Sequence, residues 1–200
     1  MAIRIRDNDN TNKLLRILEE LKHRQVQVGL FGSDDSHMVM IGTVHEFGAH
    51  IKAKGQFLTI PTRAAAGRSA RDFGPELFRP KGKNILVVAK SNGELEVMFI
   101  LKESVNIPER SFMRSTFDEK NREWTRFANE MVPRVLAGEL SIDVLFERLG
   151  QRMVADVQAK IRDISSPANA PITKENKGSS NPLIDTGGMR QKITYKVVRI

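Results

Sequence analysis

Apolar residues recur along this chain with two periods. Leu14, Ile17, Leu18 and Leu21 follow the i, i+3, i+4, i+7 spacing that lines one helical face. This predicts a helix over 12–23, with Asn10, Thr11 or Asn12 available to cap it. The next segment, VQVGLFG at 26–32, alternates instead, so Val26, Val28 and Leu30 share one face of a strand. Ser36 is placed to cap a second helix to about Phe47, with Met40, Val44 and Phe47 on one face and Gly48 to end it. Residues 51–62 read as extended. Residues 63–83, rich in Ala, Gly and Arg, read as a surface excursion. NILVVAK and ELEVMFILK then flank Ser91-Asn92-Gly93, where Asn-Gly tolerates the positive φ of a tight hairpin turn. Leu95, Val97 and Phe99 mark one face of the second hairpin strand.

Helical spacing returns further on. Phe117, Trp124, Ala128, Met131 and Val135 form one stripe of a long helix starting near Glu109–Ser111. Pro133 lacks an N–H and its ring clashes with the preceding turn, so it is expected to kink or end that helix, with Gly138 reinforcing the break. Ser141 can cap another helix to about Ile164, striped by Ile142, Leu145, Leu149, Met153, Val157, Ile161 and Ile164. Residues 165–182, SSPANAPITKENKGSSNP, are short of core formers and read as a mobile loop. Gln191–Ile200 reads as a closing strand that joins the sheet, because an isolated apolar strand leaves an exposed edge. The expected fold is α+β in one domain over 1–200. It has a small antiparallel β-sheet of strands near 26–31, 84–90, 94–101 and 191–198, packed by two long α-helices. Residues 63–105 form an inserted segment carrying the β-hairpin.

Composition narrows the function classes. Hydrophobic residues are 40% of the 200 and charged residues 28%, as in a globular protein. The absence of cysteine excludes disulfides, thiolate metal sites and a cysteine nucleophile. The longest apolar runs, Ile85–Ala89 and Val97–Leu101, hold five residues each, against the ~20 of a spanning helix. The start, MAIRIRDNDN, has no apolar core of a secretory signal, so a soluble, intracellular chain is expected. The net charge of +8 is uneven. Residues 51–110 carry 11 basic and 6 acidic side chains, and residues 165–200 carry 6 and 2. Residues 111–164 carry 9 of each. The densest patch is RPKGK, so Arg79, Lys81 and Lys83 are the expected contacts for DNA or an acidic partner. No aromatic interleaves them for base stacking.

Two motifs suggest chemistry and fail on spacing. In His45-Glu46-Phe47-Gly48-Ala49-His50 the histidines are five apart, so on a helix they diverge by about 140°, unlike the four-residue spacing of zinc proteases. Leu183-Ile184-Asp185-Thr186-Gly187 resembles an aspartic-protease loop, but only 13 residues follow it, too few for the rest of a cleft. The simpler reading is a turn in which Asp185 or Thr186 caps a short helix over Gly188–Lys192. Phosphate-loop, dinucleotide and nucleophile-elbow motifs are absent. No enzyme activity, cofactor or metal is expected.

Four segments, in order, carry a resemblance: V-H-E-F-G at 44–48, K-A-K-G-Q-F-L-T-I-P at 52–61, I-P-E-R-S-F-M-R at 107–114, and P-L-I-D-T-G-G-M-R-Q-K-I-T-Y-K-V at 182–197. Together they resemble the tail-completion, or virion morphogenesis, proteins of tailed bacteriophages such as the Mu-like phages. Glu46, Phe47 and Gly48 match the first element and Pro61 closes the second. Ile107, Pro108, Arg110, Phe112 and Arg114 match the third, and Asp185, Thr186, Gly187 and Arg190 the fourth. Ser111 stands where the family often has proline, Met189 where it often has leucine, and the 63–105 insertion is larger than the family pattern. The resemblance implies a virion structural protein of the head–tail junction, made in the host cytoplasm. It implies a homo-oligomeric ring of six or twelve copies against connector and tail-terminator or tail-tube proteins, with possible contact to packaged DNA. Pro108 is expected to preset φ for entry into the long helix, and Arg110 and Arg114 to share one of its faces. The alternative is a basic nucleic-acid-binding protein, whose affinity falls steeply with salt.

Overall fold

The structure is a computed structural model describing residues 10–65 and 67–200. In chain order the elements are α1 (Thr11–Lys22), β1 (Arg24–Gly29), α2 (Ser36–Phe47), β2 (Ala49–Lys52), β3 (Leu58–Pro61), β4 (Ile85–Ala89), β5 (Leu95–Lys102), β6 (Ser104–Ile107), α3 (Met113–Leu136), α4 (Ile142–Asp163), α5 (Pro171–Lys177), α6 (Gly188–Gln191) and β7 (Thr194–Arg199). Helices and antiparallel strands in small sheets make this an α+β fold. The chain divides into two compact units.

The first unit draws on Met1–Val39, Phe112–Asp163 and Gly188–Ile200. β1 and β7 pair antiparallel, with Val26 opposite Val197 and Val28 opposite Tyr195. The expected closing strand thus finds its partner at the other end of the chain. α4 packs on this ribbon and against α3. Their common core is Met131, Val135, Ile142, Leu145 and Phe146, joined by Ile17, Leu21 and Val26. Trp124 Nε1 donates to Asp156 Oδ2 at 2.7 Å and ties the two long helices together. α3 begins at Met113, later than expected, and runs three residues past Pro133. The proline sits so near the C-terminus that little ladder lies beyond it. Ala137 N still donates to Pro133 O, and Gly138, at φ 77°, turns the chain out. Ser141 caps α4 as expected, its Oγ accepting from Val144 N at 3.2 Å. Trp124, Met131 and Val135 of the α3 stripe are buried, Ala128 is partly buried, and Phe117 is exposed.

The second unit draws on Met40–Ser111 and Ile164–Gly187. β2 pairs with β6, and β5 lies between β3 and β4. The expected single sheet of strands 26–31, 84–90, 94–101 and 191–198 is therefore replaced by three separate sheets. β1 and β7 satisfy each other, while the hairpin strands take β3 as their third partner. The hairpin turn is as expected, with Gly93 at φ 83°. Its face is not. A bulge between Leu86 and Val87 shifts the register, and Met98, Phe99 and Leu101 are all buried while Leu95 is exposed. The supposed surface excursion also contributes core. Ala65 and Phe73 pack with Met98 and Phe99, the two phenyl rings edge-on at 5.6 Å.

α2 starts in the first unit and ends in the second. Asp35, rather than Ser36, caps it: its Oδ1 accepts from Met38 N at 3.0 Å. Met40 and Phe47, expected to share an inward face, are 56% and 60% exposed, while Gly42 and Glu46 are buried.

Candidate functional site

The second unit builds one site from segments more than fifty residues apart. His45 and Glu46 lie in the last turn of α2, and Gly48 then turns the chain at φ 70°. A Cβ on Gly48 would lie 2.9 Å from Glu109 N and 3.0 Å from Ile107 O. Glycine is required both for that φ and for this approach. The turn lets β2 run back along β6, Ala49 opposite Ile107. Residues 108–111 are thereby brought alongside the end of α2. His45 O accepts from Arg110 N at 2.7 Å, and Glu46 Oε1 accepts from Ser111 Oγ at 2.7 Å. Glu46 is buried at 5% exposure.

Arg110 is the centre of the site, 4% exposed. Its Nε donates to Pro167 O at 2.7 Å, and its Nη2 to Ala168 O at 3.1 Å and Asn169 Oδ1 at 3.2 Å. Its Nη1 donates to His45 Nδ1 at 3.3 Å, which assigns His45 the neutral tautomer protonated at Nε2. All four acceptors are neutral. A guanidinium suits this duty because its planar fork offers fixed donors to several carbonyls at once. Burial lowers the Arg110 pKa. Burial, then the charges of Arg110 and Lys177, lowers that of His45 from 6.5 to about 4. Lys177 is also pushed down, chiefly by burial, with Asp185 acting the other way and Arg110 adding to the fall.

The segment read as a mobile loop is shaped by these contacts. It contains α5, started by Pro171 and ended by Gly178 at φ 66°. Asn176 Nδ2 donates to Pro61 O at 2.8 Å, and Lys177 Nζ to Asn181 O and Pro182 O, each at 3.3 Å. Asn181 Oδ1 accepts from Leu183 N at 2.9 Å and Ile184 N at 3.0 Å, closing a turn before Asp185.

The expected site residues divide accordingly. Glu46, Gly48 and Arg110 come together, and Pro61 supplies a carbonyl to the same segment. Phe47 is exposed. Pro108 leaves a strand five residues before α3, so it does not preset helix entry. Arg110 and Arg114 do not share a helical face, because the helix begins only at Met113: Arg110 is buried in its carbonyl cage and Arg114 is exposed on α3. Phe112, 1% exposed, is buried at the helix start. Asp185 and Thr186 are exposed, and Gly187, at φ 85°, precedes α6, the expected short helix that carries Arg190. Arg79 donates to Lys83 O and Asn84 Oδ1, each at 2.8 Å, and so closes its own loop, in which Arg79, Lys81 and Lys83 are all exposed. His45, Asn169, Asn176 and Lys177 were not singled out for this site. His45, Asn169 and Asn176 have partners dozens of positions away, which no local spacing marks, whereas Lys177 reaches carbonyls only four and five residues on.

Among the described residues no group of three or more histidines and carboxylates is placed to hold a metal ion, and no helix is long and apolar enough to cross a membrane. The arrangement holds one backbone segment against another. Compared with family models, curated proteins and solved structures, this chain returns no match.

Proposed function

We propose that this chain is a structural protein of the tailed-phage head–tail junction, a ring subunit that completes the tail or neck between head connector and tail. One observation carries the reading. Two of the segments that resemble tail-completion proteins, V-H-E-F-G at 44–48 and I-P-E-R-S at 107–111, meet through direct hydrogen bonds in a buried site. Their side chains hold backbone in place, as an architectural role requires, and the fourth segment begins where Lys177 tethers Pro182. A ring also needs two different surfaces per subunit. The first unit exposes Leu14, Leu15 and Leu18 on α1, and the second exposes Met40 and Phe47 on α2. The test is cryo-EM of the head–tail junction in purified particles, with the chain's mass and copy number read from the density. A ring of this protein between portal and tail is expected. Its absence from the particle overturns the proposal.

A further inference from the structure

We infer that the adjoining outer faces of α3 and α4 bind the phosphate backbone of duplex nucleic acid without reading its sequence. Residues 111–164 carry as many acids as bases, but the fold sorts them. Arg122, Arg126, Glu130 and Arg134 are spaced four apart along α3, and Arg148 and Arg152 four apart along α4. They line two adjoining surface depressions of about 630 Å³ and 510 Å³ that share Glu130. The arginine row on α3 spans 12 residues, ~18 Å of helix.

Of the eight acids of these helices, Asp118, Glu147 and Asp163 are exposed and Glu130 lies in both linings, while the other four are held by partners. Glu119 pairs with Lys160 at 2.5 Å, Asp143 with Arg24, and Asp156 accepts from Trp124. Glu123 faces Arg126 and Arg152 but is held by Lys120 at 2.9 Å. Glu139 takes Arg134 at 3.4 Å. Among the described residues, Arg122, Arg126, Arg148 and Arg152 have no carboxylate at salt-bridge distance, and against Glu130 they give the two linings a surplus of three positive charges, with Asp118 a turn before Arg122 and Glu147 beside Arg148 outside those linings. The uncharged lining includes Asn121, Thr125, Asn129 and Gln151, side chains of the kind that complete phosphate contacts, together with the apolar Phe127 and Met131. Every cation in the two linings is arginine, whose fork matches phosphate oxygens. Arg152 lies over the Phe127 ring at 4.9 Å, which braces it at the edge of the cleft. This surface is distinct from RPKGK, where Arg79 is engaged by its own loop. The inference concerns the free chain and does not depend on whether that chain enters a particle.

The test is fluorescence anisotropy of the full chain with a random-sequence 20-base-pair DNA duplex at 50 and 200 mM salt. Four phosphate contacts predict binding in the roughly micromolar range at the lower salt and about a 100-fold loss at the higher. Arg122→Glu/Arg126→Glu/Arg148→Glu should weaken binding at least tenfold. Lys81→Glu/Lys83→Glu should bind within about twofold of the parent. All these positions are exposed, and circular dichroism melting checks that each variant folds. The Arg→Gln triple variant carries the same test should charge reversal unfold the chain. Failure of the parent to bind, equal binding by the α3–α4 variant, or equal displacement by polyglutamate of matched charge overturns the inference. The last outcome would assign the surface to an acidic protein.

Discussion

At the scale of single residues, Arg110 decides the candidate site. A guanidinium buried to 4% exposure normally meets a carboxylate, yet here it meets two carbonyls, an amide oxygen and an imidazole. Arg110→Ala removes the donor for all four and should cost ~2–3 kcal/mol in chemical denaturation, while Arg110→Lys keeps the charge, loses the fork and should cost ~1–2 kcal/mol. Loss of hydrogen-exchange protection should concentrate at 165–187. Equal stability of the alanine variant and parent would mean that water replaces the clasp. His45 gives the same site a pH dependence. Its folded pKa, about 4, lies below the ordinary 6.5, so the unfolded chain takes up a proton first as pH falls. Stability from this group is complete above pH 6.5 and is lost between 6.5 and 4. Discounted for solvent that reaches the half-buried ring, the loss is ~1.5 kcal/mol. His45→Gln should flatten that part of a stability–pH curve. The same slope in parent and variant would remove His45 as the cause.

At the scale of elements, periodicity located most helices to within a residue or two but misjudged what some faced. α1, α2 and α4 lie close to where spacing put them, because helix caps and apolar stripes are local signals. The inward face of α2 was misread because Glu46 is buried by a partner 65 residues away, the Ser111 hydroxyl. α3 starts later than spacing predicts because β6 holds 104–107 in a strand and the Arg110–His45 backbone bond holds the residues after it outside the helix, and the pull of a distant strand leaves no mark on local spacing. Gly150 is a similar case. Inside α4 it reads as a tolerated weakness, but a Cβ there would lie 2.6 Å from Tyr195 Cγ and 2.8 Å from Cε2. Alanine usually gains ~1 kcal/mol over glycine within a helix. Here overpacking against the ring should outweigh that gain, so Gly150→Ala should destabilise by ~1–2 kcal/mol. A higher melting temperature for this variant would show that the ring moves aside freely.

At the scale of the whole molecule, charge and order are distributed differently from what the sequence suggests. Net charge by segment pointed to 79–83 and passed over 111–164, since a sum along the chain cannot tell which face of a helix each charge occupies. Composition likewise marked 165–182 as mobile, since Pro, Ser, Asn and Gly form no core. Their polar groups instead accept and donate the hydrogen bonds that Arg110, Asn176 and Lys177 complete. Trypsin can compare such segments in one experiment, because 32 lysines and arginines are spread along the chain. Cleavage of a native protein requires local opening, at a cost set by the contacts that must break. Lys81 and Lys83 lie in an exposed turn held by few bonds, whereas cutting at Lys174 or Lys177 requires α5 to leave its tethers. Two or three such bonds at ~1 kcal/mol each predict cleavage at Lys174 and Lys177 at least tenfold slower than at Lys81. Arg110→Ala should close most of that gap, since the clasp and the α5 tethers hold one continuous segment. If Lys174 and Lys177 are cut as fast as Lys81 in the parent, the segment is as mobile as its composition suggested, and the clasp does not hold it in solution.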